Sequence, residues 1–169
     1  MTNRLYVANL QSSSVSINDG EKNAVTATAT VGQFPYALAV NETTNRIYVV
    51  NYGGSSVSVI DGTSNNVVAT VAVEPYSKSV TVNAATNRIY VTNLDNISVI
   101  DGASNTVVVK VPISLADAVA VSVTTNRLYV SGHFITAPFQ GALPYVSSTP
   151  PTTPLSGRYR SGLNRRVSP

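Results

Sequence analysis

Short runs of alternating apolar and polar residues, separated by turns rich in Gly, Asn and Asp, occupy most of the chain. In one stretch the runs are RIYVVN, SVSVID, VVATVAV and SVTVN, at residues 46–51, 56–61, 67–73 and 79–83. Each run is rich in β-branched or aromatic side chains and alternates with a period of two, which is typical of a strand. No window carries the i, i+3, i+4, i+7 apolar spacing of a long helix. The pattern predicts an all-β chain of antiparallel four-stranded units.

The same set of runs recurs along the chain. TNRLYVAN, TNRIYVVN, TNRIYVTN and TNRLYVSG begin at residues 2, 44, 86 and 125, with spacings of 42, 42 and 39 residues. A period of about 40–45 residues is in the range of a four-stranded propeller blade. Counted with the innermost strand of each unit first, the sequence predicts three, four, four and two strands, or 13 in all.

Both faces of the predicted strands are apolar. In RIYVVN, Ile47 and Val49 point to one face of the sheet, and Tyr48 and Val50 point to the other. A sheet that is apolar on both faces must be covered on both, so stacking of units in an array explains the repetition. The fold class predicted is a β-propeller-like array of four-stranded antiparallel blades that forms an incomplete ring, or open arc.

Polar residues recur at the ends of these strands. An Asp-Gly pair follows the second run of a unit, and an Asn ends the run that contains Tyr-Val. We interpret the Asp as accepting backbone hydrogen bonds in a turn and the Gly as supplying a positive φ, and we assign the Asn the same turn-closing role. The residues are Asp19, Asp61, Asp101, Asn9, Asn51 and Asn93. Recurrence in successive units favours turn closure over a ring of carboxylates that binds a cation.

TNRIYVTN, followed by ISVIDGASNTVV, closely resembles the YVTN family of β-propeller repeats, whose tetrapeptide stands at residues 90–93. VGQFPYALAVNETTNR, at residues 31–46, is similar to the innermost strand of that family and the segment that leads into it. The resemblance covers about residues 2–131. It implies a toroidal propeller, usually of about seven blades, in an extracellular or cell-surface protein of bacteria or archaea. It transfers no catalytic residue to this chain.

The segment that leads into the innermost strand differs between units. Pro35 and Pro75 lie at different distances from the Asp that precedes each of them, and no equivalent Pro precedes Ala118. We therefore expect this lead-in loop to vary from unit to unit.

The chain divides into repeats at residues 1–131 and a Pro/Ser/Thr/Arg-rich tail at residues 132–169. The tail holds six of the nine Pro residues, four Arg and no acidic residue, so its charge of +4 outweighs the −1 of the repeats and makes the net charge +3. Two interpretations of the tail stay open: a disordered end segment, or the sequence of a fragment or disrupted gene product. A charged run of this kind is usually solvated, so no nucleic-acid partner is predicted.

No catalytic, cofactor-binding or metal-binding residue is predicted. The chain has no Cys, and its single His, His133, has no nearby carboxylate, whereas a zinc site needs about three or four ligands. Four repeated tyrosines resemble a stacking row for single-stranded nucleic acid, but each lies inside an apolar strand, which favours blade core. They are Tyr6, Tyr48, Tyr90 and Tyr129. No apolar run reaches the roughly 18 residues of a membrane span, and the first residues lack the pattern of a secretory signal.

These observations predict a non-enzymatic module that provides a binding or structural surface and is a fragment of a larger exported or cell-surface protein. The alternative is a fragment of a propeller lyase or redox-associated enzyme whose catalytic residues lie in missing blades. We expect self-association, or docking of another propeller fragment, through exposed blade faces, and a protein or carbohydrate ligand that the sequence does not specify. No cofactor is predicted. NET at Asn41 and NIS at Asn96 match glycosylation acceptors, as expected by chance in so Asn- and Thr-rich a chain.

Overall fold

A computed structural model of the chain describes residues 3–132; the predicted tail, apart from its first residue Gly132, lies outside them, as does His133. This part of the chain consists of 13 strands, two short 3-10 turns at Leu10–Ser12 and Tyr52–Gly54, and the connecting loops. The strands are β1 (Arg4–Asn9), β2 (Ser14–Asp19), β3 (Ala24–Thr30), β4 (Pro35–Asn41), β5 (Arg46–Asn51), β6 (Ser56–Asp61), β7 (Val67–Ala72), β8 (Ser79–Asn83), β9 (Arg88–Thr92), β10 (Asn96–Asp101), β11 (Thr106–Pro112), β12 (Ala116–Ser122) and β13 (Arg127–Gly132).

The strands form four antiparallel sheets in which neighbours in sequence are paired. Sheet 1 contains β1 to β3, sheet 2 contains β4 to β7, sheet 3 contains β8 to β11, and sheet 4 contains β12 and β13. The first strands of sheets 2, 3 and 4 lie side by side and form the inner side of the array. Within the described residues no sheet closes the array, which confirms the predicted open arc with three, four, four and two strands.

Stacking of the sheets buries both faces of β5, as the alternating pattern predicted. Ile47 and Val49 belong to a buried cluster that includes Ile17 of sheet 1. Tyr48 and Val50 belong to a second cluster, which extends to residues of β8 and β9 in sheet 3. A side chain at an odd position in β5 therefore packs on one neighbouring sheet, and a side chain at an even position packs on the other.

The same repeat positions are exposed where the stack ends. Leu5 and Val7 of β1 correspond to Ile47 and Val49 but are 57% and 49% exposed. Tyr129 of β13 corresponds to the fully buried Tyr48 and is 56% exposed. Val25 of β3 lies on the same face as Leu5 and is also exposed. No part of residues 3–132 covers these positions. We call them the open face of sheet 1 (Leu5, Val7 and Val25) and the open face of sheet 4 (Tyr129).

Candidate functional site

Loops at the lower face, where β4 ends and β5 begins, are closed by the recurring Asp residues. Asp61 Oδ1 accepts hydrogen bonds from the backbone N–H groups of Thr63 and Ser64, both at 2.8 Å. Asp19 and Asp101 accept the same pair of bonds in their own turns. The second carboxylate oxygen of Asp61 is ion-paired with a guanidinium of the neighbouring strand. The predicted turn-closing role of the Asp residues is confirmed.

The prediction that the following Gly supplies a positive φ is wrong. No Gly among residues 3–132 has a positive φ; in the turn after Asp61 the left-handed residue is Asn65, with φ of 59°. Asn tolerates this conformation because its short side chain can hydrogen-bond locally. Gly62 is required for space instead, since a Cβ atom there would overlap the side chain of Asn45.

The turn-closing role predicted for the Asn at the end of the Tyr-Val strand is also wrong. Asn51 is fully buried, and its Nδ2 donates to the hydroxyl groups of Ser56 at 3.1 Å and Ser58 at 2.9 Å. Asn93 makes the equivalent contact with Ser98 at 2.8 Å. These amides link two neighbouring strands within a sheet. They donate to side chains rather than accept from the backbone.

A hydrogen bond between neighbouring sheets was not predicted. Asn41, at the end of β4, is fully buried, and its Nδ2 donates to Oδ1 of Asn87 in sheet 3 at 2.9 Å. Asn83 makes the same bond to Asn126 in sheet 4, also at 2.9 Å. The sequence signal was an Asn at the end of each of two innermost strands, and at Asn41 it coincided with the glycosylation-like motif. Burial of this amide leaves no room for a glycan on the folded chain.

Acid is expected to weaken the fold through the lower-face turns. A hydrogen bond from Arg88, with two backbone N–H donors, lowers the pKa of Asp101 from 3.8 to about 2. Backbone donors also lower the pKa of Asp19 and of Asp61. A carboxylate whose pKa is lower in the folded protein than in the unfolded chain stabilises the fold when it is ionised. This stability is fully present above about pH 4, where the unfolded carboxylate is ionised, and is lost as the pH falls towards about 2. In thermal melts over that window, Asp101→Asn should flatten the decline, and the exposed control Glu42→Gln should not. An unchanged decline in Asp101→Asn would contradict this assignment.

The loops at the opposite end of the sheets carry most of the exposed large apolar side chains found outside strands. This end, the upper face, holds the lead-in loops before β4, β8 and β12 and the loops that follow β1, β5 and β9. Phe34, Tyr76 and Leu115 occupy equivalent positions at the ends of the three lead-in loops. Their φ values are 51°, 61° and 56°. Left-handed backbone is uncommon for bulky residues and costs roughly 1–3 kcal/mol, so the surrounding structure must hold it in place.

Backbone hydrogen bonds hold these loops. The N–H of Tyr52 donates to the carbonyl of Phe34 at 3.0 Å, and the N–H of Leu115 donates to the carbonyl of Leu94 at 2.7 Å. The sequence predicts that the lead-in loop varies, and its side chains do vary between units. The left-handed residue before the inner strand is repeated in all three lead-in loops. The upper face therefore repeats one backbone position and presents a different side chain there in each unit.

Three tyrosines from sheets 2 and 3 form a continuous row on the upper face. The ring centroids of Tyr36 and Tyr52 are 5.9 Å apart with the planes tilted by 37°, and those of Tyr52 and Tyr76 are 5.9 Å apart and close to perpendicular, at 67°. Tyr36 and Tyr76 are more than half exposed. Phe34, also half-exposed, lies against Gly53, where a side chain would collide with its ring. We call Tyr36, Tyr52 and Tyr76 the tyrosine row.

A cavity of about 90 Å³ lies beside the row, between sheets 3 and 4. Its lining residues are Tyr76, Lys78, Leu94, Leu115, Ala116 and Asp117. Lys78 Nζ lies 2.8 Å from Asp117 Oδ1, and this hydrogen bond raises the pKa of Lys78 above its usual value. The cavity therefore combines apolar walls with one charged pair.

The upper-face aromatics were not predicted as a site. Phe34, Tyr36, Tyr52 and Tyr76 lie in or beside segments otherwise composed of turn residues, where no strand core requires a large apolar side chain. Large aromatic residues among turn residues were therefore the sequence signal that could have indicated this surface. Periodicity could not detect it, because the period of two assigns faces only to residues inside strands. The repeated tyrosines predicted as blade core pack in buried clusters at Tyr48 and at its equivalents in sheets 1 and 3. The prediction is wrong at Tyr129, which is exposed because no described sheet stacks on sheet 4.

Among residues 3–132, no group of three or more His, Cys, Asp or Glu side chains is arranged to hold a metal ion. None of the helical turns in this range has the length and hydrophobicity of a membrane-crossing helix.

No family model and no curated protein matches the sequence, and the YVTN repeat stays a resemblance. Solved structures of low sequence identity share the fold. Kuenenia stuttgartiensis hydrazine synthase has a TM-score of 0.76 at 22% identity, over 80% of this chain and 40% of that one. The WD40 domain of Toxoplasma gondii coronin has 0.68 at 16% identity, over 78% and 37%. The dihydro-heme d1 dehydrogenase NirN, in complex with DHE, has 0.66 at 15% identity, over 78% and 30%. The chain spans less than half the length of these relatives, and its fold is that of a partial β-propeller.

Proposed function

We propose that the chain is a non-enzymatic binding module that recognises a partner through the upper face. The observation that carries this proposal is the exposure of aromatic rings on hydrogen-bonded lead-in loops and at the start of β4. Phe34, Tyr36 and Tyr76 each expose about half of their surface. Aromatic side chains, Tyr above all, are enriched in recognition surfaces because they offer a large amphipathic contact area at a low cost in conformational entropy.

Loops that are already ordered in the free protein favour binding because they lose little conformational entropy when the partner binds. The left-handed residues Phe34 and Tyr76 place their rings on the surface, and hydrogen bonds between loops keep them there. A strained backbone that the fold maintains on an exposed surface is more common at functional sites than elsewhere. The recurring carboxylates, in contrast, are engaged in turns and ion pairs at the lower face.

Structural relatives do not separate a binding module from an enzyme, because two of the three are named as enzymes and the third as a WD40 domain. The alternative function is therefore a piece of a propeller lyase or redox-associated enzyme with its catalytic residues in other blades. The tyrosine row favours the binding module.

We further propose that the chain belongs to a larger exported or cell-surface protein, as the YVTN resemblance implies. The open faces of sheets 1 and 4 dock on a second copy or another propeller fragment in this proposal.

Binding through the upper face is testable by selection from a phage-displayed peptide library and by a glycan array. Ligands that wild-type protein enriches are expected to lose about tenfold or more in affinity with Tyr52→Ala, because truncating an aromatic anchor at an interface typically costs about 2 kcal/mol or more. Glu42→Ala, an exposed change at the lower face, should leave affinity unchanged. Failure to enrich any ligand, or equal binding to both variants, would refute the proposal.

A further inference from the structure

We propose that the tyrosine row and the adjacent cavity bind the Pro-rich segment of this chain's own tail, residues 148–157 (STPPTTPLSG). The inference rests on the proposed binding role of the upper face and names its ligand class, an extended Pro-rich peptide. The segment lies outside the described residues; the geometry of the surface, the sequence of the segment and the place where the described chain ends favour its docking here.

The geometry of the row suits proline rings. Extended Pro-rich segments bind surfaces lined with aromatic rings, because the polyproline II conformation has little entropy left to lose. Tilts of 37° and 67° between successive rings make two wedge-shaped notches and not a flat stacking platform. One turn of polyproline II advances about 9 Å, which fits within the two 5.9 Å steps of the row. Pro151 and Pro154 are separated by one such turn.

The cavity beside Tyr76 suits the same peptide. Its volume of about 90 Å³ is well below the roughly 150 Å³ of a cavity that accepts benzene, so it has room for a small ring or a short aliphatic side chain. The walls supplied by Tyr76, Leu94 and Leu115 are apolar, and the Lys78–Asp117 pair lies at the polar side. A polyproline II backbone keeps its carbonyl groups unpaired, and the ammonium group of Lys78 can donate to one of them.

The described chain ends next to this surface. Gly132, the last residue of β13, pairs with Ala116 at the start of β12 and lies against the carbonyl of Leu115, at the upper face. Pro150 lies 18 positions further along the chain. Eighteen fully extended residues reach roughly 60 Å at most, and the near end of the row, Tyr76, lines the same cavity as Leu115 and Ala116. The segment can therefore reach the row, and its covalent link to the fold raises its effective concentration there.

The first test uses NMR of the full chain with assigned tyrosine rings. We compare wild-type protein with the triple variant Pro150→Ser, Pro151→Ser, Pro154→Ser and with a control triple variant, Pro138→Ser, Pro144→Ser, Pro169→Ser. The first triple variant is expected to shift the ring resonances of the tyrosine row and to raise their response to a soluble paramagnetic probe about twofold. The control should match wild-type protein. Identical ring resonances in all three proteins, or shifts confined to Tyr129, would overturn the proposal.

The second test uses a synthetic peptide of sequence STPPTTPLSG. It is expected to bind the Pro150, Pro151, Pro154 triple variant about tenfold more tightly than wild-type protein, whose site the tail already occupies. Adding Tyr52→Ala to that variant should abolish the binding. Equal affinity for both proteins would overturn the tail docking. If the peptide bound both proteins equally but library or array ligands still needed Tyr52, the upper face would remain a binding surface for a ligand other than the tail. If neither the peptide nor those ligands needed Tyr52, the upper face would not be a binding surface.

Discussion

Truncating Tyr48 to Ala is expected to lower the free energy of unfolding by about 3–5 kcal/mol, whereas Tyr129→Ala is expected to cost less than about 1 kcal/mol. The two residues occupy the same position of the repeat, but β5 is paired with a strand on each edge and β13 is paired with β12 alone. Tyr48 is fully buried in the cluster between sheets 2 and 3, and Tyr129 is largely exposed on the open face of sheet 4. The difference between the two variants therefore measures the burial that stacking and the additional strand together supply.

The hydroxyl group of Tyr48 gives this prediction an internal control. It is buried, and within the described residues no group hydrogen-bonds to it. Removing an unpaired buried polar group relieves a desolvation cost, so Tyr48→Phe should leave stability unchanged or raise it. Burial also raises the pKa of Tyr48, so the stability that its neutral ring contributes is present below about pH 10 and is lost at higher pH.

Denaturant unfolding of the three variants and wild-type protein measures these differences. Equal losses for Tyr48→Ala and Tyr129→Ala would show that sheets 2 and 3 do not stack through this ring. A large loss for Tyr48→Phe would show that its hydroxyl group has a partner.

Placing a charge on the open face of sheet 1 is the second change with a large expected effect. Leu5, Val7 and Val25 expose about half of their surfaces there, and covering each of them against a partner contributes about 1 kcal/mol. We expect wild-type protein to self-associate at micromolar concentration and Val7→Lys to weaken that association about 100-fold, because the charge would have to be buried in an apolar contact. The control is Val68→Lys, at an equally exposed position on the outer strand β7.

Light scattering across a concentration series measures the association. The two open faces are different surfaces, so contact between them is head-to-tail and forms a ring only if the rotation closes. Two copies supply twice the 13 described strands, close to the roughly 28 of a ring of seven four-stranded blades. Wild-type protein that stays monomeric at all concentrations, or a Val68→Lys effect as large as that of Val7→Lys, would contradict the association proposal.

The strands and their stacking could be predicted because periodicity reports directly on them. Ile47 and Tyr48 are adjacent in sequence and point to opposite faces, and the alternation assigned each to its own buried cluster. The lower-face Asp turns could be predicted for a similar reason, since a side chain that bonds its own turn needs only local sequence. Gly62 was misjudged because its requirement is the space occupied by Asn45, which the fold brings close from the preceding hairpin.

The upper face could not be predicted because its contacts join residues that are distant in sequence. Tyr36, Tyr52 and Tyr76 meet only after two sheets have stacked and three loops have taken up their conformations. The left-handed backbone at Phe34 is equally hidden, because bulky residues rarely adopt it and no local motif indicates it. Asn41 also depends on stacking, since its hydrogen-bond partner lies in the next sheet.

The most direct test of the stacked open arc is an NMR measurement of cross-relaxation between side chains of adjacent sheets. Cross-peaks are expected between the methyl groups of Ile47 and Ile17 in sheet 1, and between the ring of Tyr48 and the methyl groups of Ile89 in sheet 3, following their buried clusters. Tyr129 should show no cross-peak to sheet 1 in a dilute monomeric sample. Cross-peaks from Ile47 and Tyr48 to the same sheet, or none between sheets, would contradict the fold described.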